Sequence, residues 1–237
     1  MNKETRRTIL ALALAQAVLG SQMPMYIILG GLVGQSLASS ACYATLPISF
    51  IIIGSMISSP ILSNLMQSKT RRFGLLLGNL AGLIGSLTSL LGIFTSSFEV
   101  FLWGSFISGA YMASQSFYRF SATDICEDQF KARAISLVLS GGLIAAILGP
   151  SLIKLSLNIY NPEPFLYSYL AIVLLNCLGP FILFFVKPYN SSKSFEQFKN
   201  LIPGTEINRP SAIIFKSPAI LISIICSMIA YGVMNLI

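Results

Sequence analysis

The sequence predicts an all-α integral membrane protein, a six-helix N-terminal bundle followed by one further transmembrane helix. Three observations predict it. Only 10% of the 237 residues are charged and 54% are apolar, where a soluble domain carries about a quarter charged residues. Residues 8–68 contain no Asp, Glu, Lys or Arg, too long a stretch for one crossing and about right for two, since a bilayer core takes roughly 20 helical residues. The basic residues stand between apolar runs rather than on one polar face, which is a topology pattern and not a nucleic-acid footprint, despite the net charge of +7.

The uncharged runs place spans at about 8–33, 43–66, 73–95, 100–119, 134–156, 165–186 and 217–237. Connections after the first, third and fifth spans are short and nearly free of basic residues. Those after the second, fourth and sixth hold Lys69, Arg71 and Arg72, then Arg119, Lys131 and Arg133, then Lys187 through Lys216. With Lys3, Arg6 and Arg7, this puts every one of the 15 Lys and Arg except Lys154 on one side. The positive-inside rule makes that side cytoplasmic, with the N-terminus in the cytoplasm of a bacterial inner membrane. Residues 187–216, with YNSSKS, Pro203-Gly204 and Asn208-Arg209-Pro210, read as a cytoplasmic linker between the bundle at 1–186 and a seventh helix at 217–237. That lone last helix reads as the opening of a second half, so the chain is expected to be a truncated or split form.

Other features exclude function classes. MNKETRR precedes an apolar run far longer than the h-region of a signal peptide, so the first span is expected to stay uncleaved. Cys42 lies too deep in the chain, behind Ser39, to be a lipoprotein cleavage site. Cys42, Cys126, Cys177 and Cys226 show no CxxC or metal spacing and read as small apolar residues. No histidine is present, which removes imidazole metal sites, Ser-His triads and His relays. No cofactor and no nucleic-acid partner are expected; the partners are the lipid bilayer, a small-molecule solute and a separately encoded C-terminal half.

Small residues recur every four positions at Gly30 and Gly34, at Gly74, Gly78, Gly82 and Ser86, and at Gly141, Ala145 and Gly149. Such faces let helices approach closely in lipid, where packing replaces the hydrophobic drive. The segment EDQFKARAISLVLSGGLIAAILGPSL at 127–152, with Arg133 ahead of a small-residue helix and the pair Gly149-Pro150, resembles the loop-to-fifth-helix region of the major facilitator superfamily. Six helices, a long cytoplasmic loop and the start of more helices match that family as well. The resemblance implies two six-helix halves around a central cavity, with Gly149-Pro150 as a kink at a rocking interface. The family's Gly-x-Leu-x-Asp pattern before a basic cluster is here Pro60-x-Leu62-x-Asn64, followed by Lys69, Arg71 and Arg72. Asn64 cannot make the latch ion pair of the family in the same way, which leaves Arg71 and Arg72 with a gating role or with topology alone. Where drug–proton antiporters carry an intramembrane arginine, the fourth span has Phe106 ahead of Ser108-Gly109, so the resemblance does not extend to them. SQSFYRFSATD at 114–124 and YGVMNL at 231–236 resemble a bacterial branch with poorly defined substrates, associated with vitamin uptake, riboflavin included.

A transported solute needs polar groups inside the membrane. The fourth span supplies Ser108, Tyr111, Gln115, Tyr118 and Arg119, at spacings that place them along one helical face. The family's first and fourth helices line its cavity, which makes Gln16 their companion. Tyrosines to stack and amides to hydrogen-bond suit an uncharged or aromatic molecule; interhelical hydrogen bonding without a ligand is the competing reading. Arg119 either snorkels to headgroups or attracts an anionic group. Glu99, Asp124, Glu127, Asp128 and Glu163 all fall at span ends or loops, so no carboxylate-type ion site is expected in this half. Secondary transport is the expected activity and an enzyme is not; the alternative is a helical membrane scaffold or assembly factor.

The charge asymmetry carries a prediction for topology. A cysteine placed at Phe195 should resist a membrane-impermeant thiol reagent in intact cells and label after lysis; ready labelling in intact cells would reverse the orientation.

Overall fold

A computed structural model describes residues 3–126, 128–157 and 164–186, with positions 218, 221–223 and 225–226. The chain clusters into two units, Met1–Ser192 and Lys193–Ile237. The linker expected at 187–216 lies outside the described residues, and so does the seventh helix at 217–237 apart from those positions, which are helical.

The first unit is all α-helical among its described residues: α1 (Lys3–Val18), α2 (Gln22–Leu37), α3 (Leu46–Ser68), α4 (Arg71–Phe94), α5 (Phe98–Asp124), α6 (Lys131–Leu157) and α7 (Pro164–Phe184). A 3₁₀ turn at Leu19–Ser21 joins α1 to α2, so the two make one rod. Among the described residues, five rods are long and apolar enough to cross a membrane: Thr5–Leu37, Ala41–Ser68, Arg71–Phe94, Lys131–Leu157 and Phe165–Phe184. Helix α5 matches α6 in length, 27 residues, but is more polar, and Ser105, Ser108, Ser114, Gln115 and Ser121 turn inward. The helices run past the expected spans by a few residues, so Arg71 and Arg72 open α4 and Lys131 and Arg133 lie in the first turn of α6.

The break in the first rod has a local cause. Pro24 has no N–H to give residue 20 and its ring crowds that carbonyl, so the chain tightens one turn earlier. Ser21 Oγ then bonds Val18 O at 2.6 Å, and the Leu19 carbonyl accepts the Tyr111 hydroxyl of α5 at 2.6 Å. Helix α6 docks on the same break: a Cβ on Gly149 would lie 2.6 Å from Ser21 O and 2.5 Å from Pro24 Cγ.

Packing follows the small residues. Helix α5 meets α3 at Gly54 and Gly109, where a Cβ on Gly109 would lie 2.6 Å from Ser55 N. It meets α4 along Gly78, Gly85, Gly92 and Gly104, with a Cβ on Gly92 placed 2.6 Å from Phe101 N. Side chains sort by solvent in the reverse of a water-soluble protein. Leu143 (71% exposed), Ile147 and Phe181 point outward, while Gln22, Ser86, Ser108 and Asn176 are fully enclosed. That is the arrangement a lipid solvent selects, because an unpaired amide is costly in hydrocarbon and leucine is not.

The glycine contacts yield a paired test. A Cβ at position 85 would sit 2.6 Å from Ser108 N and 2.9 Å from Gly104 O, backbone atoms that cannot swing aside, whereas at Gly142 the nearest atom is Gln16 Nε2 at 3.7 Å. Gly85→Ala should lower stability in detergent by about 1–3 kcal/mol, and Gly142→Ala should leave the unfolding midpoint nearly unchanged. Unfolding in graded denaturing detergent reads both.

Candidate functional site

Two polar features occupy the interior. The first is a sealed cluster joining α2, α4, α5 and α7. Asn176 on α7 is its hub: Nδ2 donates to Gln22 Oε1 at 2.9 Å and to Ile172 O at 3.1 Å, and the Asn176 carbonyl accepts Asn79 Nδ2 at 2.8 Å. Gly179 gives Asn79 its space, and Gly82 does the same for Asn176 Oδ1, to which a Cβ would approach within 2.8 Å. The Tyr26 hydroxyl lies beside Ser108, Asn176 and Ser86 without a hydrogen bond of good geometry. Rings extend the cluster, with Tyr26 6.4 Å from Tyr111 and 6.5 Å from Tyr169, and Tyr169 5.6 Å from Phe101 edge to face. Interhelical hydrogen bonds in lipid contribute only about 0.6 kcal/mol each on average. What holds these amides together is the larger cost, about 1–3 kcal/mol, of leaving one unpaired.

The second feature is a partly open pocket of about 200 Å³ lined by Gln16 of α1, Gln115, Ser116 and Arg119 of α5, and Val138 and Leu139 of α6. Gly20, in the 3₁₀ turn, makes room for both amides: a Cβ there would lie 2.8 Å from Gln115 Nε2 and 3.3 Å from Gln16 Nε2. Gln115 is buried at 6% exposure and its Nε2 has no hydrogen-bond partner among the described residues. Arg119 is exposed at the rim, its guanidinium 5.1 Å from the Phe120 ring centre. The pocket thus offers two amide side chains, a hydroxyl and one cation against two aliphatic walls, and the unpaired Gln115 Nε2 is enclosed beside Gly20 at its edge.

Of the six residues expected to face a solute, Gln16, Gln115 and Arg119 come together in this pocket. Ser108, Tyr111 and Tyr118 lie outside it and are fully enclosed. Ser108 Oγ bonds Gly104 O in its own helix at 2.9 Å and Tyr111 bonds Leu19 O, while the Tyr118 hydroxyl lacks a partner among the described residues. The sequence reading did not single out Gln22, Asn79 or Asn176. Each is an isolated amide in an apolar run, a signal that would have marked all three.

At the basic end, Arg71 Nε donates to Asp124 Oδ2 at 2.6 Å, with side-chain exposures of 16% and 25%. This ion pair clamps the start of α4 to the end of α5; opposite charges at one end of two successive spans were its sequence signal. Arg72 stacks over Phe184, 4.7 Å from the ring centre. Asn64 is exposed on α3 and Arg133 on α6. Gly149 is buried against the break in the first rod, and Pro150 is exposed beside a surface groove with Ile28, Leu32 and Lys154.

Comparison with known proteins fits this architecture. The chain is 35% identical over 232 residues to the riboflavin transporter RfnT of Brucella anthropi, covering 98% of this chain and 57% of that protein. It is 26% identical to the uncharacterized MFS-type transporter YddS of Bacillus subtilis strain 168 over 194 residues, covering 79% of this chain and 44% of the relative. A second Bacillus subtilis protein, the uncharacterized MFS-type transporter YdeG, is 26% identical over 149 residues, 63% of this chain and 35% of its own. The chain therefore spans about half the length of these relatives or less. The sequence pattern of the Major Facilitator Superfamily matches residues 9–237, and the chain belongs to that superfamily.

Proposed function

We propose that this chain forms one half of the path of a transporter that moves a small, uncharged or aromatic organic solute by alternating access. The observation that carries the proposal is the convergence of Gln16 and Gln115 on one partly open pocket, with a buried Gln115 donor left unpaired. A buried amide without a partner is costly, and a turn of the Gln115 side chain toward a solute carbonyl or ring nitrogen in the pocket would satisfy it. The aliphatic walls of Val138 and Leu139 suit the flat face of such a solute, and Arg119 at the rim favours one with an electron-rich edge. Riboflavin, named for the Brucella anthropi relative, has these features and is the first solute to test. Alternating access takes two bundles rocking about a site between them, so the proposal includes a second bundle as partner, on the same polypeptide or separately encoded. No carboxylate lines the pocket, so coupling to an ion would reside in the second bundle, or transport would be facilitated only. The basic residues at the loop ends favour a reading with the N-terminus in the cytoplasm of a bacterial inner membrane.

A chimera in which this chain replaces the matching segment of the Brucella anthropi relative provides the test. Gln115→Ala should raise the half-saturating riboflavin concentration roughly 2–10-fold, the effect of one neutral hydrogen bond, with little change in expression or detergent melting. A large loss of stability with unaltered affinity would make Gln115 a packing residue and displace the site.

A further inference from the structure

We propose that the groove between α1 and α7 is a binding site for an anionic phospholipid. The groove has a volume of about 880 Å³ and is walled by Leu10, Leu14 and Val18 of α1 and by Phe181, Ile182 and Phe185 at the end of α7, with Arg6 and Arg7 at its mouth. Its walls are apolar and open outward: Leu14 is 60% exposed and Phe181 72%. In a protein whose solvent is a bilayer, such a surface meets acyl chains. The distance along α1 from Arg6 to Val18 is about 18 Å at 1.5 Å per residue, the depth of one leaflet plus the headgroup boundary.

The charges choose the headgroup. Arg6 and Arg7 are exposed, and among the described residues neither is paired with a carboxylate; the ion pair described is Arg71–Asp124 at another corner of the bundle. Arg7 is held 5.5 Å over the Phe185 ring, which fixes the guanidinium at the mouth and leaves its N–H edges for the planar, two-point contact that phosphate accepts. A contrast within the molecule supports the assignment. At the other end of α7 a second apolar groove, about 220 Å³ and lined by Leu90, Leu91, Phe94, Leu166, Tyr167 and Leu170, contains no cation. Acyl chains can fill both of these grooves, and of the two the α1–α7 groove has the cations to select a headgroup.

The site is separate from the solute pocket. At 100° per residue, Gln16 points about 160° away from Leu14 around α1, so pocket and groove use nearly opposite faces of one helix. The proposal rests on the transport reading only in taking the Gln16 side as the one that meets a second bundle, and its test needs no transport.

Native mass spectrometry of the full 237-residue chain in mixed micelles, with phosphatidylglycerol and phosphatidylcholine at equal mole fraction, reads the site. The chain should retain phosphatidylglycerol preferentially. Arg6→Gln with Arg7→Gln should weaken that lipid about 30-fold, the effect of two surface cations on an anionic headgroup, and leave phosphatidylcholine retention unchanged. Leu14→Trp, which keeps both charges and fills an exposed wall position, should reduce both lipids while the melting temperature holds. Inorganic phosphate at millimolar concentration should not displace the lipid, because the acyl chain supplies part of the binding. Equal retention of the two lipids by the parent chain would overturn the proposal. So would a phosphatidylglycerol preference that survives both Arg substitutions, since other basic residues would then supply it. Displacement by phosphate would reduce the site to an anion site without a lipid. Loss of lipid in the chimera that carries a second bundle would assign the groove to protein contact instead.

Discussion

Glycine holds the middle of this bundle together. At Gly54 and Gly109 helix α3 meets α5 backbone to backbone, Gly85, Gly92 and Gly104 do the same between α4 and α5, and Gly78 makes room there for the Ser114 side chain. In lipid, apolar side chains gain little by leaving the solvent, so close approach and the dispersion contacts it brings supply the attraction. Because its neighbours come so near, α5 can sit enclosed while carrying Ser105, Ser108, Ser114, Gln115 and Ser121, a load that would be expensive on a lipid-facing helix. The outer faces of α6 and α7 are then free to be leucine, isoleucine and phenylalanine.

That enclosure also explains why one polar patch is open and the other closed. Around Asn176 the amides of Gln22 and Asn79 satisfy part of one another's needs across α2, α4 and α7. At the junction of α1, α5 and α6 the 3₁₀ turn with Gly20 lets Gln16 and Gln115 approach without bonding, and their surroundings stay open to the rim at Arg119. The break in the first rod therefore does two things. It offers the Leu19 carbonyl to Tyr111, which fixes α5 in place, and it leaves space beside Gly20 for the pocket.

The all-α membrane class was legible because hydropathy is a property of a whole run: residues 8–68 have no charge to place in lipid, so two crossings follow. Azimuth was much harder to read. The polar residues of the fourth span share a face by spacing, yet Gln115 lines a pocket while Tyr111 and Tyr118 are enclosed, because depth along the helix and the positions of α1 and α6 decide what each meets. Contacts between distant positions, such as Asn176 with Gln22 and Arg71 with Asp124, leave no mark in a single hydropathy trace. Gly85 and Gly92 lie outside the four-residue pattern that picked out Gly74, Gly78 and Gly82, but the contact face of α4 also follows three- and seven-residue steps, as packed helices do. The turn at Leu19–Ser21 was readable in principle from Gly20 and Pro24, whereas a hydropathy window averages across it.

The central claim is that Ser105, Ser108, Ser114 and Ser121 are sealed inside the bundle along α5, while the helix opens at the pocket lined by Gln115, Ser116 and Arg119. Ser116, exposed in the pocket, and Ser108, fully enclosed two turns away, test it directly. After replacement of the 4 native cysteines, Ser116→Cys and Ser108→Cys are compared for reaction with a small hydrophilic thiol reagent on the folded, membrane-embedded chain. The account predicts fast modification at 116 and almost none at 108. Equal rates at the two positions, or protection at 116, would contradict it.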